Sequence, residues 1–312
     1  MLQQKTAAYQ AIERLRRSGR FPSGEERTER LKEEADRFIA EMRRERTAAA
    51  RELGGIFHLQ EFFDGTLRTD ERELMDSPDL PEDRKLRMAR ALERQSGMLQ
   101  LNRRFVALLS PLIRELARGS GRETRVLELA AGAGGLSLAL GRETRDRGLP
   151  CRVTGTDIVA AYVEASSREA EREGLEVRFR TLDACRAEEI ESEPADLVLV
   201  AQSLHHFSPG ELALMVRGAR EAGARAFVGI DGYRSPLVAA GVPLVAALQG
   251  IAEFALDGLT SARKFYSEAE LDAVIEIATG ERNHLVLNRW PLTLVLARFD
   301  GVRAEETEIP LA

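Results

Sequence analysis

Two stretches hold residues whose types and spacing could do chemistry. In QSLHHFSP, residues 202–209, His205 and His206 stand side by side. Imidazole, with an unperturbed pKa of about 6.5, is the side chain suited to taking a proton near neutral pH. Asp231 ends the apolar run VGID and is placed to orient such a ring, which makes His205 the candidate base and His206 a lining residue of the same pocket. In ELAAGAGG, residues 128–135, a glycine turn follows the apolar Val126 and Leu127. Glycines there permit close backbone approach to a bound group. Asp157 in GTDI and Asp183 in TLDA close or follow later apolar runs. Each feature also has a plain structural reading: a histidine pair can bond backbone and fill space, and an Asp at a strand end is often a helix cap. Adjacent histidines project differently and no third His, Asp or Glu shows convincing spacing, so no metal is expected.

Something must position these residues. A chain of 312 residues, 44% hydrophobic, suffices for one large domain or two modest ones. Charged residues make up 31% and the formal net charge is -6, so no global positive field gathers nucleic acid or anionic lipid. Two cysteines, Cys151 and Cys185, are too few for a disulfide framework or a four-thiolate zinc site. The opening MLQQKTAAYQAIERLRRSGR lacks the apolar core of a signal peptide. Residues 235–256 are apolar but interrupted by Pro243, Gln249 and Glu253, which reads as a buried helix or helix pair rather than a membrane span. The cytoplasm is the expected location.

Residues 28–53 repeat Leu31, Ala35, Phe38, Met42, Ala49 and Leu53 at helical spacing, one long amphipathic helix ended by Gly54 and Gly55. A short apolar segment, IFHLQEFF, then leads to a turn, a helix and the start of another. Ser110 and Pro111 read as the cap and first position of a further helix running to about Arg118. Residues 1–120 thus form a helical N-terminal region. From there strand-like RVLEL, RVTGTD, VRFRTLD, ADLVLVA and RAFVGID alternate with helices near 135–147 and 160–173, the pattern of a parallel sheet covered on both faces. HLVLNRW and LTLVLARF, parted only around Pro291, are too close for a helical crossover and predict an antiparallel pair. The expected fold is α/β: a Rossmann-like, doubly wound, mostly parallel seven-stranded sheet with an antiparallel final strand over 121–301, followed by a tail at 302–312.

Dinucleotides and S-adenosylmethionine both use a glycine turn after the first strand of such a sheet. A dinucleotide asks for G-x-G-x-x-G, and here Gly132 and Gly134 are followed by Ser137 in place of the third glycine. Glu128 would repel a pyrophosphate but can hold the cationic amino group of a methionine moiety. With this E-x-A-x-G-x-G run and the acids downstream, residues 124–300 resemble the class I S-adenosylmethionine-dependent methyltransferases. The resemblance implies that Glu128, Ala130, Gly132 and Gly134 line the cofactor, that Asp157 takes two ribose hydroxyls, and that Asp183 faces the adenine amino group, with Ile158, Ala184 and Gln202 alongside. Alanine at 130 replaces the commoner glycine. LQLNRRF resembles a segment of the same subgroup in which Asn102 and Arg103 would reach or close over the cofactor's carboxylate.

The LHHF sequence is similar to that of small-molecule methyltransferases acting on quinones, sugars and polyketides, and N-P-P-Y, expected for transfer to amide or adenine nitrogen, is missing. The resemblance implies S-adenosylmethionine as cofactor, S-adenosylhomocysteine as product, and a small-molecule acceptor, in first place a hydroxyl of an aromatic or polyketide-like metabolite. In related sugar O-methyltransferases the first histidine acts with an aspartate ending the fifth strand, positions filled here by His205 and Asp231. D-x-x-R and S-x-R motifs would bring Arg234, Arg263 and Tyr266 to an oxygenated acceptor, against the plain alternative that these arginines cap helices or pair with acids. The N-terminal helices are open to three readings: lid, homodimer surface or packing element. C- or N-methylation, a nicotinamide enzyme, and a cofactor-binding scaffold are the competing functions.

Overall fold

A computed structural model describes residues 3–22, 28–77, 79–248 and 250–310. Strands β1 (Thr124–Leu129), β2 (Cys151–Asp157), β3 (Val177–Thr181), β4 (Leu197–Ala201), β5 (Ala226–Gly232), β6 (His284–Arg289) and β7 (Leu292–Arg298) form one sheet in the order β3-β2-β1-β4-β5-β7-β6. β1 to β5 are parallel, and β7 runs antiparallel to both β5 and β6. This is the expected Rossmann-like sheet with its antiparallel end. The chain reverses its direction of travel between β1 and β4, and open sheets of this kind place ligands beyond the carboxyl ends of the strands at that point.

Strand alternation divides the core into two layers. Val198 and Val200 of β4 join Phe227 on one face, whereas Leu197 and Leu199 join Val228 and Ile230 on the other. The first face is covered by α1 (Lys5–Arg17), α2 (Thr28–Leu53), α9 (Pro209–Glu221) and α12 (Glu268–Thr279); the second by α5 (Leu101–Ser120), α6 (Gly135–Arg147) and α7 (Ala160–Glu173). Completing the helices are α3 (Gly55–Leu67), α4 (Glu82–Met98), α8 (Ala187–Glu191), α10 (Pro236–Ala247) and α11 (Ala252–Lys264). The N-terminal helices are no separate module: Leu15, Leu31, Phe38 and Met42 share a core with Leu212, Val216, Leu271 and Ile275. The tail is also tied down, since Thr307 accepts from Arg298 at 3.0 Å and the Ala304 amide donates to Asn283 at 2.9 Å.

Three local expectations are corrected. IFHLQEFF lies within the helix α3, whose Ile56, Leu59, Phe62 and Phe63 are exposed while Asp64 is buried. Pro111 does not start a helix but lies inside α5; the carbonyl that loses its amide partner belongs to exposed Ala107, and Ser110 instead bonds the Val106 carbonyl at 2.6 Å. Residues 235–256 do form a helix pair, α10 and the start of α11, but Leu237, Leu244, Leu248 and Leu256 are exposed rather than buried. Among the described residues no helix is long and apolar enough to cross a membrane.

Candidate active site

The glycine turn leaves β1 with a left-handed backbone at Ala130 (φ 51°), Gly132 (φ 55°) and Gly134 (φ 76°). Alanine adopts that region at a cost of ~1–2 kcal/mol. A second non-glycine residue, Gln202 (φ 60°), has the same conformation at the end of neighbouring β4. Strained residues on two adjacent strand ends mark the crevice as a place where geometry is held against local preference. At Gly134 a side chain would collide with Phe179 and Ser166, whereas Gly132 faces open space. Gly132 therefore supplies a half-buried backbone cradle, and its N–H donates to Asp157 Oδ2 at 2.8 Å. Asp157 Oδ1 accepts from the Val159 amide at 2.9 Å, and the next side chain, Ile158, is exposed. Asp183, half-buried beside buried Ala184, accepts the Cys185 amide at 2.9 Å.

Glu128 is buried at the base of this cradle, with Ser137 donating to it at 2.5 Å. Burial, reinforced by the nearby Glu93 charge, pushes its carboxyl up to about 8 against the pull of the Ser137 bonds. Burial also raises Glu93, against Arg142 and the Gly135 amide, and raises Asp157, against the amides of Val159 and Gly132 and the charge of His206. Three carboxyl groups on which burial acts against the charged form line one crevice, an environment that favours a cationic group and hydroxyl donors. That donor set suits S-adenosylmethionine, whose amino group and ribose offer both. Sequence spacing did not indicate Glu93: α4 lays it and Asn102 of α5 over Gly135, where an added Cβ would meet them at 2.5 and 2.8 Å. Ser96 of the same helix approaches Gln202 Oε1 at 3.4 Å. Arg103 is exposed and turns to Gln100.

The histidines sit on the short turn Leu204–His206 after β4. Asp36 of α2 holds the following helix start, accepting the Gly210 amide at 2.7 Å and the Ser208 hydroxyl at 3.2 Å. Nδ1 of buried His205 lies 2.8 Å from Asp231 Oδ2, the contact expected from sequence. His206 is tilted against it, ring centroids 4.4 Å apart, and the Phe265 edge meets His205 at 5.0 Å. The acid that sequence spacing does not reveal is Glu73, just before the turn Leu74–Asp76. It lies 3.5 Å from His205 Nε2 and 3.7 Å from His206 Nε2, so a third potential ligand does meet the pair. Lys264 Nζ, 3.3 Å from the same carboxylate, already supplies positive charge there.

The residues read as acceptor contacts are placed differently. Arg234, 1% exposed, donates to Asp64 at 2.7 Å and to the carbonyls of Arg263 and Phe265 at 2.9 and 3.0 Å. Arg263 donates to the Leu67 carbonyl at 2.7 Å, and the Tyr266 hydroxyl to that of Phe207 at 2.7 Å. Arg234, just after β5, and Arg263 of α11 are thus bonded to the N-terminal region, and Tyr266 joins the segment after α11 to the histidine turn. Asp64 also pairs with Arg46 at 2.7 Å; burial would raise its carboxyl, but Arg234, Arg68 and Arg46 together hold it low.

Residues 126–223 match a family model described as a methyltransferase domain. No curated protein matches the sequence. Among solved structures, a protein of Pyrococcus horikoshii OT3 is 19% identical over 63% of this chain and 90% of its own, with a TM-score of 0.42. A plantazolicin methyltransferase, solved with a triazolic desmethyl analogue and S-adenosylhomocysteine, is 11% identical over 68% and 90%, TM-score 0.48. The magnesium protoporphyrin IX methyltransferase of Synechocystis PCC 6803, with S-adenosylhomocysteine bound, is 16% identical over 76% and 93%, TM-score 0.44. With its glycine turn, strand-end acids and strand order in agreement with that match, the chain carries a methyltransferase domain across residues 126–223.

Proposed function

We propose that the enzyme methylates a hydroxyl oxygen of a small, largely apolar metabolite. The observation that carries this reading is the buried His205–Asp231 pair at the carboxyl edge of the sheet, one strand from the glycine turn. A carboxylate oxygen only accepts, so the ring proton lies on Nδ1 and Nε2 offers its lone pair to an acceptor proton. Bound S-adenosylmethionine supplies an electrophilic methyl group on a positively charged sulfur. In this reading Glu128 receives its amino group, the backbone from Ala130 to Gly134 its chain, Asp157 its ribose, and Ile158, Asp183 and Ala184 its adenine, with Gln202 and Asn102 at the rim.

Alignment of acceptor and methyl group accounts for up to about 7 to 11 kcal/mol in well-oriented systems, and proton removal adds ~100- to 10,000-fold. Phe265 beside His205, with buried Tyr233, Val238 and Ala262, provides an apolar flank for the acceptor. Two free thiols accord with a reducing cytoplasm. The test is incubation with methyl-labelled cofactor and a metabolite extract, followed by mass analysis. A labelled methyl ether supports the reading; label in an ester, on nitrogen or on carbon, or none, sinks it.

A further inference from the structure

Glu73 has no part in that chemistry, yet it stands at the nitrogen the chemistry uses. It is 4% exposed. Its Oε1 lies 3.5 Å from His205 Nε2 and 3.3 Å from Lys264 Nζ; its Oε2 accepts the Ser261 hydroxyl at 2.7 Å and lies 3.7 Å from His206 Nε2. The strap that delivers it is anchored on α11: the amides of Leu74 and Met75 donate to the two carboxylate oxygens of buried Asp257 at 2.7 and 2.9 Å. Burying a carboxylate is unfavourable unless its lone pairs are met, and here the donors are the Ser261 hydroxyl and the Lys264 ammonium.

His205 Nε2 and Glu73 Oε1 are two proton acceptors 3.5 Å apart. Hydroxyls on adjacent carbons hold their oxygens at about hydrogen-bond separation, roughly 2.7–3 Å, so one can donate to each acceptor. A lone hydroxyl serves only one, and hydroxyls a further carbon apart stand wider than the 3.5 Å between the acceptors and match it less well. We infer that Glu73 is a specificity-determining acceptor contact, and that the acceptor class carries hydroxyls on adjacent carbons. This rests on the oxygen-transfer reading above. The reacting hydroxyl gives its proton to His205 Nε2 while its oxygen forms the new bond to the methyl carbon; the carbon–sulfur bond breaks with its electron pair going to sulfur, and the imidazolium later releases its proton to water. The neighbouring hydroxyl donates to Glu73, and Lys264 supplies positive charge beside the pair. The atoms of Glu73, His205 and His206, within 4.8 Å of one another, also have the composition of a divalent-cation centre. Lys264 opposes a second cation there by like-charge repulsion.

The experiment measures kcat/KM of the full-length enzyme for methyl transfer to 1,2-, 1,3- and 1,4-dihydroxybenzene and to phenol. The 1,2 isomer is expected to exceed each of the others by at least ~10-fold, the worth of one charge-assisted hydrogen bond. Glu73→Gln should bring that ratio to within ~3-fold; if this variant does not fold, Ser261→Ala, which releases the same carboxylate, must lower the ratio. Equal rates on the 1,2 and 1,3 isomers, an unchanged ratio in the variants, or transfer to none of the four compounds overturns the inference. So does activity abolished by a chelator and restored by Mg²⁺ or Mn²⁺. Transfer to aromatic amines with none to any hydroxyl would instead overturn the parent reading.

Discussion

A single carboxylate oxygen, Oδ2 of Asp231, receives both the backbone amide of His205 at 2.9 Å and its ring Nδ1 at 2.8 Å. The two bonds fix the turn and the ring together, and Oδ1 of the same residue accepts the Gly232 amide at 2.7 Å. The end of β5 thereby sets the direction of a side chain carried after β4.

Cofactor binding should release a proton. Glu128, held up at about 8 by burial, is mostly neutral at pH 7, and a bound ammonium lowers its pKa. Affinity should therefore rise with pH on the acid side of about 8. Titration calorimetry at pH 7 in buffers of different ionisation enthalpy should detect release of up to one proton; no release would remove Glu128 from contact with the amino group. The same shift has a sign for stability: because the folded state holds a proton that the unfolded chain gives up above its ordinary value of 4.5, stability is lost as pH rises toward 8. Glu128→Gln should flatten that slope.

Asp157→Ala should weaken cofactor binding by about 1.5 to 3 kcal/mol, the usual worth of charge-assisted hydrogen bonds. It also removes the acceptor of the Gly132 amide and so loosens the turn. Unchanged affinity by calorimetry would take Asp157 out of the site.

Arg234→Ala should destabilise the fold by about 3 to 5 kcal/mol, because Asp64 is left buried with one cation fewer. Denaturant unfolding checks this. A variant of undiminished stability with a raised acceptor KM would return Arg234 to the acceptor pocket.

A chain beginning near Gly119 should fail to fold rather than fold without activity. Removing α1 and α2 uncovers Leu212, Val216, Leu271 and Ile275, which pack against Leu31, Phe38 and Met42. A cooperative thermal transition and normal cofactor affinity in the shortened chain would contradict the shared core.

The sheet was legible because its signals are local. Apolar runs of strand length alternate with helices that end at glycines such as Gly148 and Gly174, and both α6 and α7 span the predicted residues. Asp231 was legible too, since its place at a strand end fixes where it points. Glu73 and Glu93 were not: each is one of 51 acidic residues, in helical surroundings rich in charge, and only tertiary folding brings them to the crevice. Arg234 misled for the complementary reason. Its motif marks a position near the site, but its partner Asp64 lies in α3, just past the stretch IFHLQEFF that reads as apolar.

The central claim is that His205, held by Asp231, takes the proton of an acceptor hydroxyl. The direct test is single-turnover methyl transfer as a function of pH in the wild type, His205→Ala, Asp231→Asn and the double variant. The account predicts a fall of ~100- to 10,000-fold for His205→Ala with cofactor affinity near that of the wild type, impairment of the same rate in Asp231→Asn, and a double variant little worse than the worse single. A His205→Ala enzyme with near-normal rates across the neutral range would contradict it, leaving alignment alone to carry the reaction.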